Sequence, residues 1–120
     1  MSYDKNNIFA KILRGEIPSK KVYENEYVLS FYDINPQKKI HVLVIPKGEY
    51  VDLDDFTAKA SDKEIIEFNR AITHIVKMLK ISSQEGGYRV LSNIGKNGGQ
   101  EVPHLHYHIF GDEKIGKMVV

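Results

Sequence analysis

Residues 104–110 read His104-Leu105-His106-Tyr107-His108-Ile109-Phe110, three histidines in strict alternation with apolar or aromatic side chains. An extended strand has a side-chain period of two, so this spacing predicts three imidazoles on one face, anchored about 6.6 Å apart along the chain. Rings that close can share hydrogen bonds, a water or a phosphate oxygen. A single histidine there would read as part of a solvated face, whereas three in alternation point to chemistry. Two kinds compete. Three neutral imidazoles, in a chain with no cysteine, could hold a divalent metal with an open position for water. Alternatively, one imidazole attacks phosphorus while its neighbours bind oxygens and move protons, because an ordinary histidine pKa near 6.5 leaves the ring largely neutral at physiological pH.

The segment just upstream weighs between them. Asn93-Ile94-Gly95-Lys96-Asn97-Gly98-Gly99-Gln100 offers backbone N–H groups unshielded by Cβ atoms together with amide side chains, a cradle suited to an anion. It matches neither the P-loop nor the dinucleotide fingerprint, and alone it would be a turn-rich connector. Beside three histidines it joins anion binding to a nucleophile, as phosphoryl or nucleotidyl transfer requires. Metal binding becomes the weaker alternative.

The elements that must position these residues fit into 120 residues with 17 basic and 16 acidic side chains and 42% hydrophobic content. Such a composition predicts one globular domain over residues 1–120. Near-balanced charge excludes the broad basic footprint that duplex nucleic acid demands. The absence of cysteine excludes a disulfide framework, a thiolate zinc site and a cysteine nucleophile. The clearest apolar run, Val42-Leu43-Val44-Ile45, is too short for a signal peptide or a membrane span. The expectation is a cytoplasmic protein with neither a membrane nor a nucleic-acid partner.

Ile8 to Leu13 reads as a short amphipathic helix stopped by Gly15 and Pro18. Val22–Glu24 and Val28–Tyr32 read as a tight hairpin across Asn25 and Glu26, and His41 to Ile45 as a third strand. Over 61–80, Ser61 and Glu64 form a capping box, and Ile65, Phe68, Ile72, Ile75, Val76 and Leu79 repeat at helical spacing. His74 falls off that apolar stripe and is assigned no role. Tyr88 to Ser92 and His104 to Phe110 complete five strands. Strands that run together on either side of one long helix predict an α+β fold with an antiparallel sheet, one long helix and one short one.

With these residues in view, the chain resembles the histidine triad (HIT) family of nucleotide hydrolases and transferases. The likeness rests on His104, His106, His108, Ile109 and Phe110 and extends through Ile8–Ile12, Glu16–Ser19, Phe31–Ile34, His41–Lys47 and Gly99–Val102. Order and length are most similar to the Hint branch, whose members are small dimeric purine nucleoside phosphoramidases; the dinucleoside polyphosphate hydrolases come second, and a non-catalytic nucleotide-binding module is a further alternative. The resemblance implies a homodimer with one continuous sheet, a purine nucleotide ligand and no metal or other cofactor. It assigns His106 as the nucleophile that attacks the α-phosphorus, His108 to the phosphate and leaving group, and His104 and His41 to orienting the other imidazoles. Asn93, Gly99, Gln100 and Val102 match positions near the phosphate. Asp33 matches the carboxylate that accepts from the ribose hydroxyls, and Ile8, Phe9, Ile12, Phe31 and Ile34 match the slot that sandwiches the base.

The chain also departs from that pattern. Asn7 and Ala10 stand where several relatives carry zinc-binding cysteines, and Glu101 stands where many phosphoramidases of this branch carry a serine near the leaving-group nitrogen. The segment after Gly111 lacks the tryptophan and prolines found at the end of many relatives.

Overall fold

A computed structural model describes residues 2–119; Met1 and Val120 lie outside the described residues. In chain order the elements are α1 (Ile8–Leu13), β1 (Lys21–Glu24), β2 (Val28–Tyr32), β3 (Ile40–Pro46), α2 (Leu53–Lys59), α3 (Asp62–Met78), β4 (Tyr88–Leu91), α4 (Gly95–Gly98) and β5 (Tyr107–Gly111). The strands form one five-stranded antiparallel sheet in the order β1-β2-β3-β5-β4. Among the described residues no helix is long and apolar enough to cross a membrane.

The period of two sorts every central strand into two faces. Val28, Val42, Val44 and Ile109 point to one side, where α3 covers them with Phe68, Ala71, Ile75 and Val76. Leu29, Phe31, Leu43 and Ile45 point to the other, where Phe9 of the short α1 is the main cover. His41 is two residues from Leu43, and β5 pairs His108 with Leu43 and Phe110 with His41, so the histidine face is the thinly covered one. This asymmetry leaves room for a cleft.

Local chemistry explains most elements. The capping box of α3 forms as expected: Ser61 Oγ accepts from the Glu64 N–H at 3.2 Å, and Glu64 Oε1 accepts from the Ser61 N–H at 3.1 Å. Asn7 caps α1, its Oδ1 accepting from the Ala10 N–H at 2.9 Å. His74 is exposed and stacks on Tyr23 with ring centroids 5.9 Å apart.

Four expectations need correction. A third regular helix, α2, follows the third strand; Asp52 caps it by accepting from the Asp55 N–H at 2.8 Å, and Phe56, 1% exposed, anchors it. With so short an apolar stripe, its cap and one buried ring carry the helix. The glycine-rich loop contains one helical turn, α4, which Gly99 ends at φ 77°, a left-handed conformation that favours glycine. The β1–β2 connection spans Asn25, Glu26 and Tyr27, because Asn25 Oδ1 accepts from the N–H groups of Tyr27 and Val28 at 2.8 and 3.0 Å and widens the turn. The last strand begins only at Tyr107. Pro103 has no N–H for a ladder, and the N–H groups of His104 and Leu105 donate to Val102 and Tyr50 carbonyls instead. His104 and His106 therefore stand in the irregular approach to the strand.

Candidate active site

His41, His104, His106 and His108 each have a hydrogen-bond partner that fixes the tautomer, since a carbonyl accepts and a backbone N–H donates. The His106 Nδ1 is 2.7 Å from the His104 carbonyl oxygen, so Nδ1 carries the proton and Nε2 keeps its lone pair. The Gln37 N–H donates to His41 Nδ1 at 3.2 Å, which places the His41 proton on Nε2. That Nε2–H lies 2.9 Å from His108 Nδ1 and 3.4 Å from Asp33 Oδ2. His108 Nδ1 is thus an acceptor, and its own proton sits on Nε2. The result is a bare nitrogen on His106 and an N–H on His108, with ring centroids 5.2 Å apart. Phe110 packs against His41 and His108, 4.3 Å from the His41 ring and parallel to His108 at 5.9 Å, while Phe9 sets its edge against His106 at 4.9 Å.

Burial keeps these rings neutral. Desolvation pushes His108 down to about 4, helped by its neighbours His106 and His41. It lowers His106 as well, against the backbone bond to His104 and the charges of Asp33 and Glu101, and it lowers His41 against the pull of Asp33. Neutral imidazole is the form that can attack an electrophile.

The cleft in front of them has a volume of about 440 Å³. His106, His108, Asn93, Gly99 and Val102 line it together with Asp33, Ile34, Ile8, Phe9, Ile12 and Phe31. Ile34 is 84% exposed and forms a lip. His41, His104 and Gln100 do not line it. Gln100 builds the loop: its Nε2 donates to the carbonyls of Val51 and Val102 at 2.7 and 3.1 Å, and its Oε1 accepts from the Gly95 N–H at 3.2 Å. Its amide is thus engaged within the loop that it holds beside the cleft.

His104 needs a correction. Its ring does not orient the other imidazoles; Nε2–H donates to the Pro46 carbonyl at 2.8 Å and Nδ1 accepts from the Tyr3 hydroxyl at 2.6 Å. Only its backbone carbonyl reaches His106. With both nitrogens engaged, fully buried, and pushed down to about 4 chiefly by that burial, His104 is a structural post. The three alternating histidines consequently do not converge as metal ligands. The group that does converge among the described residues is Asp33, His41 and His108, whose ligand atoms lie within 4.8 Å of one another. The two imidazole nitrogens face each other there, since the centroid separation of 5.1 Å exceeds the 2.9 Å nitrogen separation by about two ring radii. That arrangement shares a proton, whereas a metal needs both lone pairs aimed at one point.

Glu101 lines the cleft, and residues beyond the sequence expectation contribute as well: Ile17, Pro18 and Ser19, Tyr32 and Leu43. Leu43 was legible as the residue two positions beyond His41 on the same strand face. No local signal marks Tyr3, which acts across the full length of the chain.

This fold and site belong to one class of protein. The HIT domain model matches residues 14–115, and the chain is a member of the HIT family. It is 53% identical over 118 residues to a 13.2 kDa HIT-like protein of Azospirillum brasilense, covering 98% of this chain and 95% of that one. It is 38% identical over 117 residues to the purine nucleoside phosphoramidase of Escherichia coli, covering 93% and 92%. Among solved structures, a HIT family hydrolase from Clostridium thermocellum superimposes with a TM-score of 0.86 at 36% identity, over 98% of this chain and 99% of that one. A histidine triad protein from Clostridium difficile gives 0.83 at 42% identity, over 97% and 98%.

Proposed function

We propose that the protein is a nucleotide hydrolase that cleaves purine nucleoside 5′-phosphoramidates, or related aminoacyl and nucleotidyl conjugates, to AMP or GMP through a covalent nucleotidyl-His106 intermediate. The observation that carries this is the unprotonated Nε2 of His106 in the cleft, its other nitrogen held at 2.7 Å by the His104 carbonyl. The phosphoramidase name of the Escherichia coli relative supports the choice of substrate.

In the first step Nε2 attacks the α-phosphorus and forms a P–N bond to the protein. The bond from phosphorus to the leaving amine breaks, its electron pair goes to the leaving nitrogen, which His108 Nε2–H stabilises by donating a hydrogen bond, and the amine takes up a proton from solvent. In the second step water attacks phosphorus and releases a proton to solvent, while His108 keeps its Nε2–H. The P–Nε2 bond breaks, so His106 returns to its starting form. His41 keeps His108 in the tautomer that can donate. The base enters the slot formed by Ile8, Phe9, Ile12, Phe31 and Ile34, the ribose hydroxyls donate to Asp33, and Asn93, Gly99 and Val102 face the phosphate. The chain acts as a homodimer of single domains, as the family likeness implies.

The test is amine release from a fluorogenic adenosine phosphoramidate with chelator present and no added metal. Release by the native chain that disappears in His106→Asn is the expected result. If both proteins bind nucleotide and neither releases amine, the proposal is overturned.

A further inference from the structure

Among the described residues that line the cleft there is neither lysine nor arginine; its charged lining is Asp33 and Glu101. Sites that take a polyphosphate set cations against it. Here the available donors are neutral, namely the His108 Nε2–H, the Asn93 amide and backbone N–H groups. The two carboxylates are not equivalent. Asp33 is engaged, Oδ1 accepting from the Asn35 N–H at 2.9 Å and Oδ2 lying 3.4 Å from His41 Nε2. Glu101 is exposed at the rim and, among the described residues, forms no ion pair. Its charge nevertheless reaches the chemistry: burial lowers the pKa of His106, and Glu101 is one of the groups that pull it back up.

We infer, resting on the hydrolase reading above, that Glu101 selects the leaving group by charge: the cleft favours nucleoside monophosphate conjugates whose amine carries a second, cationic group, and disfavours those whose leaving group is anionic. With the nucleoside end held in the apolar slot beside Asp33, the group that departs leaves past the rim, where the charge of Glu101 is not neutralised. An ammonium there gains an attractive contact. A carboxylate, or the polyanionic leaving group of a dinucleoside polyphosphate, meets repulsion from Glu101 and no cation elsewhere in the lining to offset it.

The experiment compares three adenosine 5′-phosphoramidates of one chain length that end in ammonium, methyl or carboxylate. The expected order of kcat/KM is ammonium, then methyl, then carboxylate, each step roughly fivefold, the size of an exposed charge contact. The ranking shrinks at 1 M salt, where the screening length falls to about 3 Å, and in Glu101→Gln; it reverses in Glu101→Lys. The methyl substrate separates the two ways of failing. If the native chain does not hydrolyse it, the hydrolase reading falls and this inference falls with it. If it is hydrolysed but the ranking is flat, or persists unchanged in Glu101→Gln, the charge selection is overturned while the hydrolase reading stands.

Discussion

Lowering the pH from 7 to 4 tests the role of His104 as a buried post. Its ring is fully buried, with Nε2–H on the Pro46 carbonyl and Nδ1 under the Tyr3 hydroxyl, so there is no place for a second proton. The unfolded chain protonates this residue near 6.5, while burial in the native state lowers its pKa to about 4. Between those two values the unfolded state binds one proton more than the native state, so the stability increment is complete above about 6.5 and is lost as pH falls toward about 4. The slope is about 1.4 kcal/mol per pH unit. The whole loss from this one ring is about 3 kcal/mol, a large share of the ~5–15 kcal/mol that stabilises a typical domain. Urea unfolding at a series of pH values measures it, with His104→Gln as the comparison. Glutamine retains an N–H for Pro46 and an acceptor for Tyr3 but does not titrate. His106 and His108 titrate in both proteins, so the difference between the two curves isolates His104. The native chain should be the more stable at pH 7, and its advantage should narrow steadily below about pH 6. Two curves that stay parallel through this range would refute the assignment of His104 as neutral, buried and doubly bonded.

Two further outcomes are expected. His41→Leu removes the N–H that holds His108 Nδ1 at 2.9 Å, so His108 loses its fixed tautomer; kcat should fall on the order of 10²-fold, the cost of losing one transition-state hydrogen-bond donor, with KM changed much less. Steady-state kinetics with the fluorogenic phosphoramidate check this, and an unchanged kcat would show that the His41–His108 contact does not serve the reaction. Ser30→Ala removes a hydroxyl that is fully buried in the centre of β2 with no partner among the described residues. The variant should gain up to ~1 kcal/mol in urea unfolding, because an unsatisfied buried hydroxyl costs stability, and a clear loss of stability would mean that Ser30 Oγ has a partner after all.

The residues by themselves determined most of the scaffold and the place of the candidate site. The capping box at Ser61 and Glu64 and the helical stripe from Ile65 to Leu79 are local signals, written in a period that no tertiary contact needs to supply. The same holds for the short helix at Ile8–Leu13 and for the period-two strands. The alternation of His104, His106 and His108 marked the region of the cleft, and the family likeness named many of the residues that line it. Only the tertiary structure decided which partners each imidazole has. Pro103 and the bond from Leu105 N–H to the Tyr50 carbonyl delay the last strand until Tyr107, which turns the His104 ring toward Pro46 and Tyr3 and leaves its carbonyl for His106. The His41–His108 pair depends on the β3–β5 register, which sets Leu43 opposite His108 and brings residues 67 apart in sequence into hydrogen-bond contact. Protonation sites follow from such partners, and a partner brought by a distant segment leaves no mark on the local pattern that sequence reasoning can read.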